Sequence, residues 1–177
     1  MTKKAIGSRV YLRDETNKYA AEFMSYIEEY LELDPLKKML RYDQHFGVSR
    51  LQHSVNVAYY SYRIAKMIGA DPKKAARAGM LHDLYYYDWH VKKTPQLHAY
   101  FHPRLALKNA QRLVPDLSKE EKDAILKHMW PLYWGIPKYK VSYCVTLADK
   151  YAATLEVCYN WGGYFGKKAL GIFKKQK

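Results

Sequence analysis

The sequence predicts an all-α fold, a bundle of about six or seven helices with no sheet of consequence. Helix start signals recur along the chain, and no segment shows the sustained apolar–polar alternation that is typical of strands. The clearest signals are two capping boxes, at residues 49–52 and 118–121, and two Asp-Pro pairs, at residues 34–35 and 71–72. A chain of 177 residues suits one domain, and we expect residues 1–177 to form it.

Each predicted helix is bounded by an identifiable start or stop. Asp14 or Thr16 is expected to cap the first helix, and Gly69 to close the third in a left-handed conformation. Pro103 suits the first position of a helix, after a looser stretch over residues 85–101. The predicted helices cover about residues 16–33, a short turn from residue 35, and then 49–68, 72–84, 103–114, 118–129 and 140–160.

The charge balance favours anionic partners. The formal net charge of +13 attracts phosphates, nucleic acid or an acidic membrane surface, without choosing among them. We expect the core of the domain over about residues 17–160, with the last helix ended by Gly162-Gly163. A basic, aromatic tail is expected over residues 161–177.

The sequence gives no sign of export or of a membrane span. Its first ten residues lack the apolar region and cleavage site of a signal peptide, and no run of 18 apolar residues occurs. Cys144 and Cys158 lie on one predicted helix at a separation of about 21 Å, which is too far for a disulfide. Reduced thiols of this kind indicate a cytoplasmic location.

Three predicted helices each present an ionisable side chain on an apolar face. Asp149 has Val145, Ala152 and Ala153 at i−4, i+3 and i+4, an apolar setting in which an unpaired carboxylate is costly. His53 points inward from a helix that is apolar on two faces. His82-Asp83 ends a helix rich in alanine and glycine, whose small side chains let other helices approach closely. Imidazole together with carboxylate suits iron, manganese, cobalt or zinc.

The order of these residues resembles the defining pattern of the HD superfamily of metal-dependent phosphohydrolases. The residues around His53, His82-Asp83 and Asp149 also fit that pattern, and the resemblance covers about residues 49 to 153. It implies an HD-domain helical bundle in which these four side chains hold a metal ion. It also implies that His82 and Asp83 take part directly in catalysis.

Two further histidines extend the resemblance. His102 and His128 lie where HD proteins with six metal ligands, such as the symmetrical diadenosine-tetraphosphate hydrolases, have histidines. The resemblance to that type implies two divalent ions, iron, manganese or similar, with Asp83 as a bridge. His98 is a reserve candidate, because Pro103 argues against a helix that would align it with His102.

Two other histidines, His45 and His90, are expected to support the site from behind the ligands or to lie on the surface.

The implied activity is hydrolysis of a phosphate ester or phosphoanhydride, with a nucleotide as the expected substrate and a metal-activated hydroxide as the nucleophile. Candidate phosphate contacts are Lys150, Arg104 and Arg77, since each lies near a ligand in sequence. Tyr86 stands where the single-metal deoxynucleotide phosphatases have a glutamate, which argues against that subtype.

Two other functions stay open at this point. Some diiron HD proteins are oxygenases, and the ligands alone do not separate these from hydrolases. A non-catalytic binding module is the third hypothesis, in which the lysines of the tail contact nucleic acid or anionic lipid.

Overall fold

The computed structural model describes residues 3–45, 47–88, 95–133 and 135–169, without the side chains of residues 45, 95–97 and 160–169. Within this part of the chain the fold is all-α, as predicted. A 3-10 turn over Lys38–Arg41 and a small antiparallel hairpin of β1 (Asp43–His45) and β2 (Val48–Ser49) lie between the second and third helices. The helices are α1 (Lys18–Leu31), α2 (Asp34–Lys37), α3 (Arg50–Ile68), α4 (Pro72–Leu81), α5 (Pro95–Leu113), α6 (Lys119–Lys127) and α7 (Lys140–Ala169).

Helix α3 is the central element and packs chiefly against α4 and α7. Its ends are set as predicted. Ser49 accepts a hydrogen bond from the Gln52 amide at 3.3 Å, and Gly69 closes the helix with φ of 66°. The reciprocal bond of a capping box would need Gln52 Oε1 to accept from the Ser49 amide. The described contacts of the Gln52 side chain are instead donations from Nε2 to Lys4 O and Asn56 Oδ1.

Helices α3 and α4 approach very closely at Gly79. A Cβ atom at this position would lie 2.8 Å from Ala58 Cα and 2.9 Å from Ala58 N. The missing side chain therefore lets the α4 backbone rest on α3, and this contact places His82, just past the end of α4, beside His53 on α3.

Several predicted boundaries were wrong. Asn17 caps α1 by accepting from the amides of Tyr19 and Ala20, whereas Asp14 accepts from Thr16 instead. Helix α4 ends at Leu81, three residues earlier than expected. Helix α7 continues through Gly162-Gly163 to Ala169, since glycine costs a helix interior only about 1 kcal/mol and does not break it. Residues 170–177 of the expected tail lie outside the described residues.

The predicted helix start at Pro103 was also wrong, because α5 begins at Pro95 and contains Pro103. A proline removes one backbone donor, which for Pro103 is the usual helical partner of Ala99 O. The side chains of the two flanking residues bond to the carbonyls on either side. His102 Nδ1 bonds to His98 O at 2.8 Å, and Arg104 donates to Tyr100 O at 2.7 Å. His98 and His102 consequently share a helical face, with their rings stacked 4.4 Å apart.

The start of α7 is tied to α6 by Asp123. This carboxylate accepts hydrogen bonds from Lys138 N at 2.8 Å and Ser142 Oγ at 2.7 Å, and it pairs with Lys127. The predicted capping box at Ser118 starts α6 with both of its hydrogen bonds formed. Over the described residues, none of the helices combines the length and the apolar character that crossing a membrane requires.

Candidate metal centre

His53 lies at the centre of the bundle between two carboxylates of α7. Its Nε2 is 3.2 Å from Asp149 Oδ1, and its Nδ1 is 3.0 Å from both oxygens of Glu156. The imidazole is fully buried. One ring nitrogen thus faces Asp149, while the other is held from behind by Glu156.

His82 joins this group from the end of α4. Its Nδ1 is bonded to Gly79 O at 2.7 Å, and its Nε2 lies 3.7 Å from Asp149 Oδ1 and 3.7 Å from Asp83 Oδ2. The imidazole nitrogens of His53 and His82 and a carboxylate oxygen of Asp149 all lie within 4.8 Å of one another, which suits a shared metal ion.

Asp83 connects this group to a second pair of histidines. Its Oδ1 is 3.3 Å from His102 Nε2 and 3.7 Å from His128 Nε2. The two Nε2 atoms of that pair are 2.8 Å apart. His82, Asp83 and His128 form a second set of ligand atoms within 4.8 Å of one another. The structure therefore brings all six predicted ligands into one cluster.

The four imidazoles share one orientation. Each has Nδ1 against an oxygen atom, which is a backbone carbonyl for three of them and Glu156 for His53. For the three that face a carbonyl, Nδ1 carries the proton and Nε2 presents a lone pair to the cluster. For His128 that oxygen is Ile125 O at 2.8 Å. Metal-binding histidines are commonly fixed in this way, because the hydrogen bond sets the ring angle and the tautomer.

The unsatisfied atoms of the cluster fit a bound cation. Within the part of the chain that the structure describes, His82 Nε2 and Asp83 Oδ1 are buried without a hydrogen-bond partner, which is costly unless something else satisfies them. The facing Nε2 atoms of His102 and His128 repel unless a proton or a cation lies between them. Imidazole nitrogen with carboxylate oxygen is also the donor set of iron, manganese and zinc sites.

Comparison with known proteins agrees with this geometry. The family model described as the HD domain matches residues 50–154, well over half of the chain. The chain belongs to the HD-domain family. The matched range includes every ligand candidate from His53 to Asp149.

This HD-domain chain is also similar to a short part of several ribonuclease Y proteins. It is 46% identical over 55 residues to ribonuclease Y of Clostridium kluyveri, a match that covers 31% of this chain and 11% of that protein. It is 47% identical over 53 residues to ribonuclease Y of Helicobacter acinonychis, covering 30% and 10%. The chain spans about a tenth of the length of these curated relatives. No solved structure matches it.

Charges within the HD domain are arranged to receive a cation. Burial lowers the pKa of the His128 imidazole to about 3, helped by His82 and His102, and burial likewise lowers the pKa of His102. Although burial alone would raise the pKa of Asp83, the neighbouring imidazoles hold it below its usual range. At neutral pH the imidazoles of His102 and His128 are therefore neutral, whereas the carboxylate of Asp83 is ionised.

His53 has the opposite tendency. Burial works against a charge on its ring, but the hydrogen bonds with Asp149 and Glu156 raise its pKa to about 10. Although burial opposes ionisation of Asp149 as well, the hydrogen bond with His53 and the nearby imidazole of His82 keep its pKa well below the usual range.

Glu156 is a functional residue that the sequence analysis missed. It is fully buried, accepts from Asn56 Nδ2 at 2.7 Å, and contacts His53 Nδ1. The signal was present, because Glu156 lies seven residues after Asp149 and thus on the same face of α7.

The basic residues proposed for phosphate binding are placed differently from one another. Lys150 lies at the edge of the cluster, with Nζ 3.0 Å from His128 O and 3.5 Å from Asp149 Oδ2. Arg104 is exposed and bonds to Tyr100 O and Tyr133 OH. Arg77 is paired with Glu121 and Asp116, so its described contacts join α4 to neighbouring elements and do not reach the cluster.

The remaining histidines have no described role as ligands. His98 Nδ1 is bonded to the Tyr87 hydroxyl at 2.9 Å, and its carbonyl orients His102. The side chain of His45 and the whole of His90 lie outside the described residues.

Proposed function

We propose that this HD-domain chain is a metal-dependent hydrolase of phosphate esters or phosphoanhydrides, acting on a nucleotide. The observation that carries the proposal is the convergence of four imidazole Nε2 atoms and two carboxylates. In this cluster His82 Nε2 and Asp83 Oδ1 are buried without hydrogen-bond partners among the described residues. The cost of burying such atoms is offset when they bind a cation.

Two ions suit this ligand set better than one. His82 belongs to both groups of ligand atoms described above. The single lone pair on its Nε2 can bind only one ion, so a second ion needs other ligands. His53, His82 and Asp149 would hold one ion, and His102 and His128 the other. Asp83 could contribute to both, since its Oδ2 is on the side of His82 and its Oδ1 on the side of His102.

The chemistry of phosphate hydrolysis follows from these positions. Bound divalent cations lower the pKa of a coordinated water and stabilise charge on phosphate oxygens. Within the chain, Asp149 and Asp83 supply the negative charge that holds the cations. Lys150 is the best-placed side chain to neutralise a phosphate oxygen, because it lies beside Asp149 with about a third of its side chain exposed.

A second candidate substrate is RNA. It is supported by the similarity to ribonuclease Y and by the net charge of +13, which favours a polyanion. The oxygenase hypothesis shares the same ligands, so it is distinguished by its need for dioxygen and not by geometry.

The test is metal analysis of anaerobically purified protein, followed by turnover assays. Mononucleotides, dinucleoside polyphosphates and a short single-stranded RNA should be incubated with Mn²⁺ or Fe²⁺, with and without dioxygen. Release of phosphate or nucleotide that needs metal but not dioxygen is expected, and Asp149→Asn should abolish it. Turnover only with dioxygen would favour the oxygenase, and a protein without metal would contradict the proposal.

A further inference from the structure

Gln44 reaches the candidate metal centre from the β-hairpin. It is 7% exposed, and its Nε2 donates a hydrogen bond of 2.6 Å to Asp83 Oδ2. The other oxygen of that carboxylate, Oδ1, faces His102 and His128 and is buried with no hydrogen-bond partner among the residues that the structure describes. The two oxygens of Asp83 therefore differ in their hydrogen bonding before any ion binds.

Arg50 determines which way the Gln44 amide points. Arg50 Nε donates to Gln44 Oε1 at 2.9 Å. Because a guanidinium has donors and no acceptor, the oxygen of the amide must face Arg50, and the NH₂ group must face Asp83. The reversed amide would place oxygen against a carboxylate and NH₂ against a cation.

Arg50 is itself held rigidly. It is fully buried, donates to Tyr85 O at 2.9 Å and Tyr87 O at 3.2 Å, and lies 3.7 Å above the Tyr85 ring. The same guanidinium thus binds the segment that follows Asp83 and the glutamine that contacts it. Its own position is set by the first turn of α3, three residues before His53.

We propose that Gln44 is a positioning residue for Asp83, and that Arg50 acts through Gln44 by fixing its amide. The hydrogen bond to Oδ2 holds the plane of the carboxylate and favours its ionised form, so that Oδ1 stays directed at His102 and His128. Both side chains are buried, which assigns them to orientation of a ligand and not to contact with substrate. The inference rests on the proposed metal-binding function.

The decisive variant is Gln44→Met, which keeps the size of the side chain and removes its donor. The probe is Mn²⁺, titrated calorimetrically into metal-stripped protein. We expect Mn²⁺ to bind about 10–100-fold more weakly to this variant, as for other residues that orient a metal ligand. In the loaded enzyme kcat should fall while KM for the substrate stays nearly unchanged.

Two further variants separate this role from a general loss of stability. Gln111→Met, at an exposed position of α5, is the matched control and should bind Mn²⁺ like the wild type. Arg50→Lys keeps the charge but cannot reproduce the planar fork of donors. If Arg50 acts through Gln44, the double variant should lose no more affinity than the worse single variant.

The outcomes are distinguishable. Wild-type protein that binds no Mn²⁺ overturns the metal-binding function and this inference together. Equal Mn²⁺ affinity in the wild type and in Gln44→Met overturns only the inference. Should Gln44→Met not fold, NMR of the wild type decides: the Gln44 side-chain amide protons should be protected from exchange and shift on addition of Zn²⁺, whereas protons that exchange like those of Gln111 would exclude the bond to Asp83.

Discussion

His102 and His128 face each other with their Nε2 atoms 2.8 Å apart, although one lies within α5 and the other directly follows α6. Each ring is fixed by an Nδ1 bond to a carbonyl one helical turn earlier, at His98 and Ile125. Two lone pairs therefore converge beside Asp83 Oδ1. Such an arrangement is unfavourable without a proton or cation between the rings, and it marks the position of the second ion in the proposed centre.

Replacing both histidines should remove one of the two ions. We expect wild-type protein to hold two metal equivalents and His102→Ala/His128→Ala to hold one, because His53, His82 and Asp149 remain. Turnover should fall by orders of magnitude, since one ion cannot both activate water and clamp a second phosphate oxygen. Elemental analysis after anaerobic loading with Mn²⁺ measures the equivalents.

His53→Ala provides the matched comparison, because it should remove the other equivalent. If wild-type protein loaded with excess Mn²⁺ holds only one metal equivalent, His102 and His128 are not ligands. The same conclusion follows if the double variant holds as many metal equivalents as the wild type.

Glu156 should tune the metal affinity through His53. In Glu156→Gln the carboxylate that accepts from Asn56 and faces His53 Nδ1 becomes a neutral amide of the same size. We expect about 10–100-fold weaker Mn²⁺ binding, measured by calorimetry, because the imidazole loses the charge that orients it. Glu28→Gln on the exposed face of α1 is the control. Equal affinity in Glu156→Gln and the control would assign Glu156 to packing alone.

The resemblance to the HD superfamily and helical spacing together explain why much of the centre could be predicted from the sequence. The ligand set with His82-Asp83, His102 and His128 was implied by the resemblance. His53 and Asp149 also lie on apolar faces of helices, where their spacing indicates burial. Glu156 follows the same rule, seven residues beyond Asp149, and was within reach of that argument.

Other features depend on contacts between residues that are far apart in the sequence, which helical periodicity does not reveal. Gln44 lies in a two-stranded hairpin, and its role depends on a bond to Asp83 across 39 residues. The course of α5 was mispredicted because a proline is commonest at a helix start, and the continuation of the helix through Pro103 is visible only in three dimensions.

Asp123 should stabilise the junction of α6 and α7 in a pH-dependent way. Burial opposes its charge, but the bonds from Lys127, the Lys138 amide and Ser142 lower its pKa below the usual value. A carboxylate with a lowered pKa contributes stability that is complete above the unfolded value of about 3.9 and is lost as pH falls through the folded value. Asp123→Asn should therefore lower the free energy of unfolding by about 1–3 kcal/mol at pH 7.

Urea denaturation at pH 7, 5 and 3.5 checks this prediction. The difference between wild type and Asp123→Asn should be constant from pH 7 to 5 and begin to shrink at pH 3.5. A difference that is constant over all three values would mean that the ionised carboxylate is not what joins the two helices.

Gly79→Ala gives the sharpest test of how packing builds the centre, because two physical effects predict opposite signs. Alanine at an interior helix position normally stabilises by about 1 kcal/mol relative to glycine. Here its Cβ would lie 2.8 Å from Ala58 Cα and 2.9 Å from Ala58 N, and these backbone atoms of α3 cannot rotate away. The helices must move apart, and overpacking of this kind costs about 1–3 kcal/mol. The same movement carries His82 away from His53, and the centroids of these two rings are now 5.3 Å apart.

For Gly79→Ala we therefore expect a lower free energy of unfolding, measured with urea in the presence of a chelator that keeps the protein free of metal. We also expect weaker Mn²⁺ binding. A variant more stable than the wild type and equal in Mn²⁺ affinity would show that the close contact of α3 and α4 does not position the ligands.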